Sequence, residues 1–186
     1  MNTGIIASRY AKALHRYVTL HGDAERVCTQ AKALEQALGR LPEFRRFADD
    51  PAAVSRGEKM AVFRTATGPG EMAPALERFL DLVMKNGRIA DLRFILHDYV
   101  ALYHASRNIH FATLSTAVPV PAALMGRIRE AAAEQIGGEV FIEEKVDPSL
   151  IGGGVFTVDG HRIDASVRTQ LQTLHTQFNE QNKRIV

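Results

Sequence analysis

Residues 146–164 read VDPSLIGGGVFTVDGHRID, with three consecutive glycines, Gly152 to Gly154, leading into an apolar run. A phosphate-binding loop needs a glycine-rich turn closed by Lys-Ser or Lys-Thr, set at the start of a helix whose free N–H groups face the anion. Here the glycines are followed by Val155, Phe156 and Thr157, with no lysine, and they enter a strand. Glycines so placed mark a strand that bends, or one that another backbone approaches closely. The stretch is therefore structural. Just beyond it, Asp159-Gly160 between apolar arms is a hairpin signal, because the tight turn needs positive φ at both central positions.

Working outward from that hairpin, IHFATLSTAV (109–118) is rich in β-branched and aromatic residues and reads as a strand, ended by Pro119 and Pro121. EVFIEEKV (139–146) alternates at Val140, Ile142 and Val146 and reads as another. Between them lies a helix with Leu124, Ile128, Ala132 and Ile136 on one stripe and Gly137-Gly138 as its stop. A last helix from about Asp164 carries Val167, Leu171, Leu174 and Phe178. Residues 107–186 are thus expected to form a small β-α-β-β-α domain.

Residues 1–106 keep a helical period instead. The first helix places Ile6, Tyr10, Ala13, Leu14, Tyr17 and Val18 at spacings of three and four. Asp23 is expected to cap a second helix with the stripe Val27, Ala31, Leu34 and Leu38, which Gly39 is placed to end. Pro42 suits the first turn of a short third helix with Phe44 and Phe47. Ser55 and Glu58 have capping-box spacing at the start of a fourth, stopped before Gly68-Pro69-Gly70. The fifth runs from about Glu71 to Asn86 with Leu76, Phe79, Leu80 and Val83 on one side, and Gly87 follows as a stop. The sixth, from near Arg88, carries Ile89, Leu92, Leu96, Tyr99 and Tyr103. Amphipathic helices on short connections bury their stripes against one another, so the fold expected is α+β: an N-terminal six-helix antiparallel bundle followed by the small sheet domain.

The chemistry of the chain is sparse. One cysteine, Cys28, rules out an internal disulfide framework, and its place beside Val27 suits a buried, inert thiol. Seven histidines include no HExxH pattern; His97 and His104, two turns apart on one helix, belong at the edge of the bundle. No G-x-S-x-G elbow is present, and Asp49-Asp50 and Glu143-Glu144 read as solvated charges. No metal, cofactor or catalytic residue is expected. No stretch approaches the roughly 18 apolar residues of a spanning helix, so membrane association must go through a partner or the surface. Arg9 and Lys12 interrupt the N-terminus too early for a signal-peptide core, which favours a bacterial protein over an organelle precursor. Charge is uneven: residues 1–65 hold 11 Lys/Arg against 7 Asp/Glu, and residues 108–186 hold 7 against 9, so the two ends suit different partners. Helix one also has a strip of small residues, Ala7, Ala11 and Ala13, that admits close approach either by a neighbour in the bundle or by a partner helix. By themselves the residues support a two-domain adaptor. The rivals are a helical adaptor with a nucleic-acid module, opposed by the acidic balance of the sheet domain, and an enzyme of unassigned type.

SRYAKALHRY (8–17), FLDLVMKNGRIADL (79–92), TLSTAVPVP (113–121) and VDPSLIGGGVFTVDGHRIDASVRTQL (146–171) resemble, in the same order and spacing, the delta subunits of F-type ATP synthase. That family includes the mitochondrial oligomycin-sensitivity-conferring protein. Departures are small: Gly154 stands where a larger apolar residue is common, and Ala165 where glycine is usual. The resemblance implies a non-catalytic stator subunit, monomeric within its complex, peripheral to the cytoplasmic face of the bacterial inner membrane and not inserted in it. Residues 1–106 would bind N-terminal segments of the alpha subunits of the catalytic head, and residues 107–186 the C-termini of the b subunits. Carried over through SRYAKAL and LVMKNGR, the alpha-binding surface falls on Tyr10, Ala11, Leu14 and Val83, to which helical spacing adds Ala7 and Leu80. Leu171, Leu174 and Phe178 are the candidate anchors for b. Cofactors and nucleic acid have no part in this reading.

Overall fold

The computed structural model describes residues 3–41, 44 and 55–183, with side chains for 4–41, 44 and 55–177. The chain divides into two compact units, Met1–Ser106 and Arg107–Val186.

In the first unit, α1 (Thr3–His21) and α2 (Ala24–Arg40) both pack along α5 (Leu92–Ser106). The helix α5 buries Leu92, Ile95, Leu96, Tyr99 and Tyr103, a spacing that turns one continuous face inward. Asp23 stands at the N-cap of α2, but its side chain makes no capping hydrogen bond, contrary to expectation. Gly39 does not end α2 either. The helix runs on to Arg40, and Gly39 makes room for the Arg93 guanidinium, which a Cβ there would meet at 3.3 Å. The expected third helix lies outside the described residues with Pro42, Phe47 and Asp49-Asp50. Phe44 alone is described, helical and edge-on to Phe63.

The Ser55/Glu58 capping box forms at the start of α3 (Arg56–Ala66). Next, α4 (Pro74–Lys85) starts later than the expected Glu71, because residues 71–73 are tied to α2. Gln30 donates to the Glu71 carbonyl (2.9 Å) and accepts from the Ala73 N–H (2.8 Å), while Arg26 also donates to the Glu71 carbonyl (2.6 Å). A buried glutamine thus satisfies the backbone just ahead of α4, where no residue of that loop does so itself. The sixth predicted helix opens as a 3-10 turn over Ile89–Asp91 before α5 begins at Leu92.

The second unit holds β1 (Ile109–Thr116), α6 (Ala122–Ile136), β2 (Glu139–Val146), β3 (Gly154–Val158), β4 (His161–Asp164) and α7 (Val167–Lys183). Both arms of the Asp159-Gly160 hairpin are strands, as the hairpin signal required, so the order is β-α-β-β-β-α, one strand more than the β-α-β-β-α expected. The mixed sheet runs β2-β1-β3-β4, with β1 parallel to β2 across the α6 crossover and antiparallel to β3. Alternation sends Ala112, Leu114 and Val140 to a buried face. On the opposite face Phe111 and Phe141, aligned in register, stack at 5.6 Å with both rings half exposed. The fold is α+β, with seven α-helices and four strands among the described residues.

The three glycines lie where the chain returns against itself. Gly152 O accepts from Val167 N (3.0 Å) and Gly154 O from Ala165 N (2.9 Å). Gly153 sits between them at φ +66°, and a Cβ on it would lie 2.2 Å from the Ala165 carbonyl oxygen. The run is a close-approach strand entry that seats the start of α7.

Candidate partner-binding site

Between α1 and α4 lies a groove of about 660 Å³. Its floor and walls include Ala13, Leu14, Ala75, Phe79 and Leu82, so the surface offered is mainly apolar. On α4 the spacing Ala75, Phe79, Leu82, Asn86 keeps one row of side chains along the groove. Two tyrosines of α1 cross to α4: Asn86 donates to the Tyr10 hydroxyl at 2.9 Å, and Arg78 to the Tyr17 hydroxyl at 3.1 Å. Tyr10 also meets Phe79 edge to face at 6.3 Å. The two rungs pair the helices in opposite directions. Seven residues of α1 separate them, about 10 Å at 1.5 Å per residue. Polar groups at the rim are thus matched to each other; between the rungs Ala13 and Leu82 are exposed, over a floor of buried Leu14, Ala75 and Phe79.

Tyr10 and Leu14, of the residues inferred from sequence, line this groove. Ala7, Ala11, Leu80 and Val83 do not; they are fully buried in the interior beneath it. The small-residue strip divides: Ala7 and Ala11 are buried and let α1 run close against its neighbours, while Ala13 is exposed and lines the groove. Sequence reading missed Leu82 and Arg78 and took Phe79 for core alone. A signal was available, since Leu82 falls off the Leu76–Phe79–Leu80–Val83 face and stays 48% exposed.

In the second unit α7 is held at its beginning and bare along its described length. Asp164 accepts from the Ser166 N–H (3.0 Å) and hydroxyl (2.7 Å), from Thr169 (3.1 Å) and from Arg162 (3.0 Å). The Ser166 hydrogen bonds hold this carboxyl well below the usual range. Asp147 forms the same kind of turn with Ser149 and is also lowered. Past this anchor Leu171 and Leu174 are about half exposed, at 51% and 50%. Phe178 lies in α7, but its side chain is outside the described residues.

Burial pushes the Cys28 thiol up to about 11. His97 is exposed, 3.9 Å from Glu35, and burial lowers the pKa of His104. No group of three metal-binding side chains occurs among the described residues.

One unit thus carries an apolar groove between two helices, and the other a helix anchored at its start with exposed leucines along it. The chain belongs to the ATP synthase delta (OSCP) subunit family, which its sequence matches over residues 6–178. It is similar to the ATP synthase subunit delta of Bacteroides fragilis, at 39% identity over 188 residues covering the whole of both chains. The corresponding protein of Phocaeicola vulgatus is 35% identical over 186 residues, again over the whole of both. Among solved structures it resembles a chain of the Toxoplasma gondii mitochondrial ATP synthase hexamer, with TM-score 0.68 and 26% identity over 92% of this chain and 96% of that one. It is accordingly a structural, non-catalytic component of the F-type ATP synthase, in its peripheral stalk.

Proposed function

We propose that this subunit joins the catalytic head of the ATP synthase to the b subunits of the stalk. In this reading the first unit receives an N-terminal helical segment of an alpha subunit in the α1–α4 groove. The second unit engages the C-terminal ends of the b subunits through α7, with Leu171 and Leu174 as anchors. The single observation that carries the reading is the apolar groove between the Tyr10–Asn86 and Tyr17–Arg78 rungs. A helix lying in such a groove buries apolar anchors along a line and resists sliding. A persistent contact of this kind needs at least about 1,000 Å² of total buried area.

The mechanism is mechanical. Protons crossing the membrane sector turn the rotor, and ATP forms only while the head is kept from turning with it. The subunit transmits the opposing torque, so both of its contacts must hold under load. Loss of the subunit then leaves ATP hydrolysis by the head intact and abolishes its coupling to proton flow. No helix among the described residues is long and apolar enough to cross a membrane. We place the chain on the cytoplasmic face of the bacterial inner membrane, through its partners.

Titration of the purified chain with a synthetic peptide of the alpha subunit's N-terminal segment tests this. The expected result is one-to-one heat release with amide shifts centred on Tyr10, Phe79 and Leu82. Absence of binding at high micromolar peptide, or shifts confined to the second unit, refutes the placement.

A further inference from the structure

The charge around the groove says what kind of helix it takes, given the reading of that groove as a docking site. Its charged lining residues are Arg9 and Arg78, and no carboxylate lines it among the described residues. This follows from how α4 distributes its charges. Glu77 pairs with Arg64, and Asp81 pairs with Arg56 (2.5 Å) and Lys85 (3.1 Å), all away from the groove lining. The acids of α4 are therefore neutralised elsewhere, while Arg78 reaches across to a neutral phenol.

The two arginines lie toward opposite ends of the groove and on different helices. Arg9 adjoins the Tyr10–Asn86 rung, and Arg78 forms part of the Tyr17 rung. The eight residues of α1 from Arg9 to Tyr17 span about 12 Å. We propose that the groove selects an amphipathic helix whose apolar stripe is flanked by carboxylates, one reaching Arg9 and another, about two turns along and on the opposite flank, reaching Arg78. Arg78 exchanges a neutral acceptor for a charged one when the helix arrives, and a charge-assisted bond to a guanidinium is the stronger of the two.

The test uses the full chain and the alpha N-terminal peptide, by calorimetry at roughly 50 and 500 mM NaCl, salts that screen exposed charges weakly and strongly. Three variants are compared: Arg9→Glu, Arg78→Glu and Arg78→Lys. A second peptide has its flanking Asp and Glu residues replaced by Lys. Each arginine reversal is expected to weaken binding about tenfold at the lower salt and much less at the higher, because like charges then face each other at a partly exposed rim. Arg78→Lys should retain most of the affinity. The Lys-substituted peptide should bind the wild type poorly and the Glu variants better. Thermal melts control for the Tyr17 bond lost in Arg78→Glu, and Arg9→Glu removes no bond within the groove. Equal affinity of wild type and both Glu variants at low salt overturns the charge inference while leaving the groove as the docking site. If the wild type binds neither peptide, the groove reading and the charge inference fall together.

Discussion

The glycine run makes a prediction that separates backbone strain from steric contact. Gly160 has φ +83° and open space where a Cβ would go, so Gly160→Ala meets strain alone. Gly152 has ordinary φ, and its Cβ would meet only the tip of Val167 at 3.0 Å, so Gly152→Ala meets contact alone. Gly153 meets both, with φ +66° and a backbone oxygen at 2.2 Å that cannot swing aside as a side chain does. Placing alanine in a left-handed conformation costs about 1–2 kcal/mol. Moving Ala165 away also breaks the Ala165–Gly154 and Val167–Gly152 hydrogen bonds, each worth about 1 kcal/mol. Gly153→Ala should therefore lose about 3–4 kcal/mol, against about 1 kcal/mol for each of the other two. For a unit of this size a loss of that order is a drop of more than about 10 °C in melting temperature. Because the two units need not unfold together, the readout is amide exchange and thermal melting followed at β1 and β3 resonances. If Gly153→Ala melts within a degree or two of Gly160→Ala, the close approach does not constrain this loop and the account of the glycines is wrong.

Leu80→Ala and Leu82→Ala should part company. The first empties a fully buried site and costs about 2–5 kcal/mol of stability. The second, half exposed in the groove, should leave urea unfolding nearly unchanged and weaken alpha-peptide binding. Cys28 is protonated at pH 8, with its pKa pushed to about 11 by burial, so a thiol reagent should label it slowly in the native protein and rapidly in urea. The Asp164 carboxyl, lowered in the folded state by Ser166, contributes stability that is present above the unfolded carboxylate pKa and lost as pH falls through the folded one. Asp164→Asn should therefore flatten the acid side of the stability profile of residues 107–186, as urea titrations between pH 2 and 5 would register. An unchanged acid limb contradicts that assignment.

Local chemistry was enough for much of the architecture. The Ser55/Glu58 box, the Asp159-Gly160 turn and the strand EVFIEEKV each depend on neighbours a few residues apart, and each forms as read, although of the alternating Val140, Ile142 and Val146 only Val140 is buried and Val146 is left 49% exposed. The phosphate-loop reading of Gly152–Gly154 could also be rejected on local grounds. Elements decided over long range were less legible. Asp23 caps nothing through its side chain, and Gly39, rather than ending the helix, lies within it where a Cβ would crowd Arg93, fifty-four positions away. The start of α4 depends on Gln30 in another helix. Periodicity found the apolar faces of α1 and α4 but could not tell which edge of each face the core would cover. Ala7, Ala11, Leu80 and Val83 went under, and Tyr10, Phe79 and Leu82 were left along a groove, because where packed helices leave a face uncovered depends on their axes and side-chain volumes together. Sequence alone thus determined the kind of elements and the family; the surface those elements leave for a partner was settled only by packing.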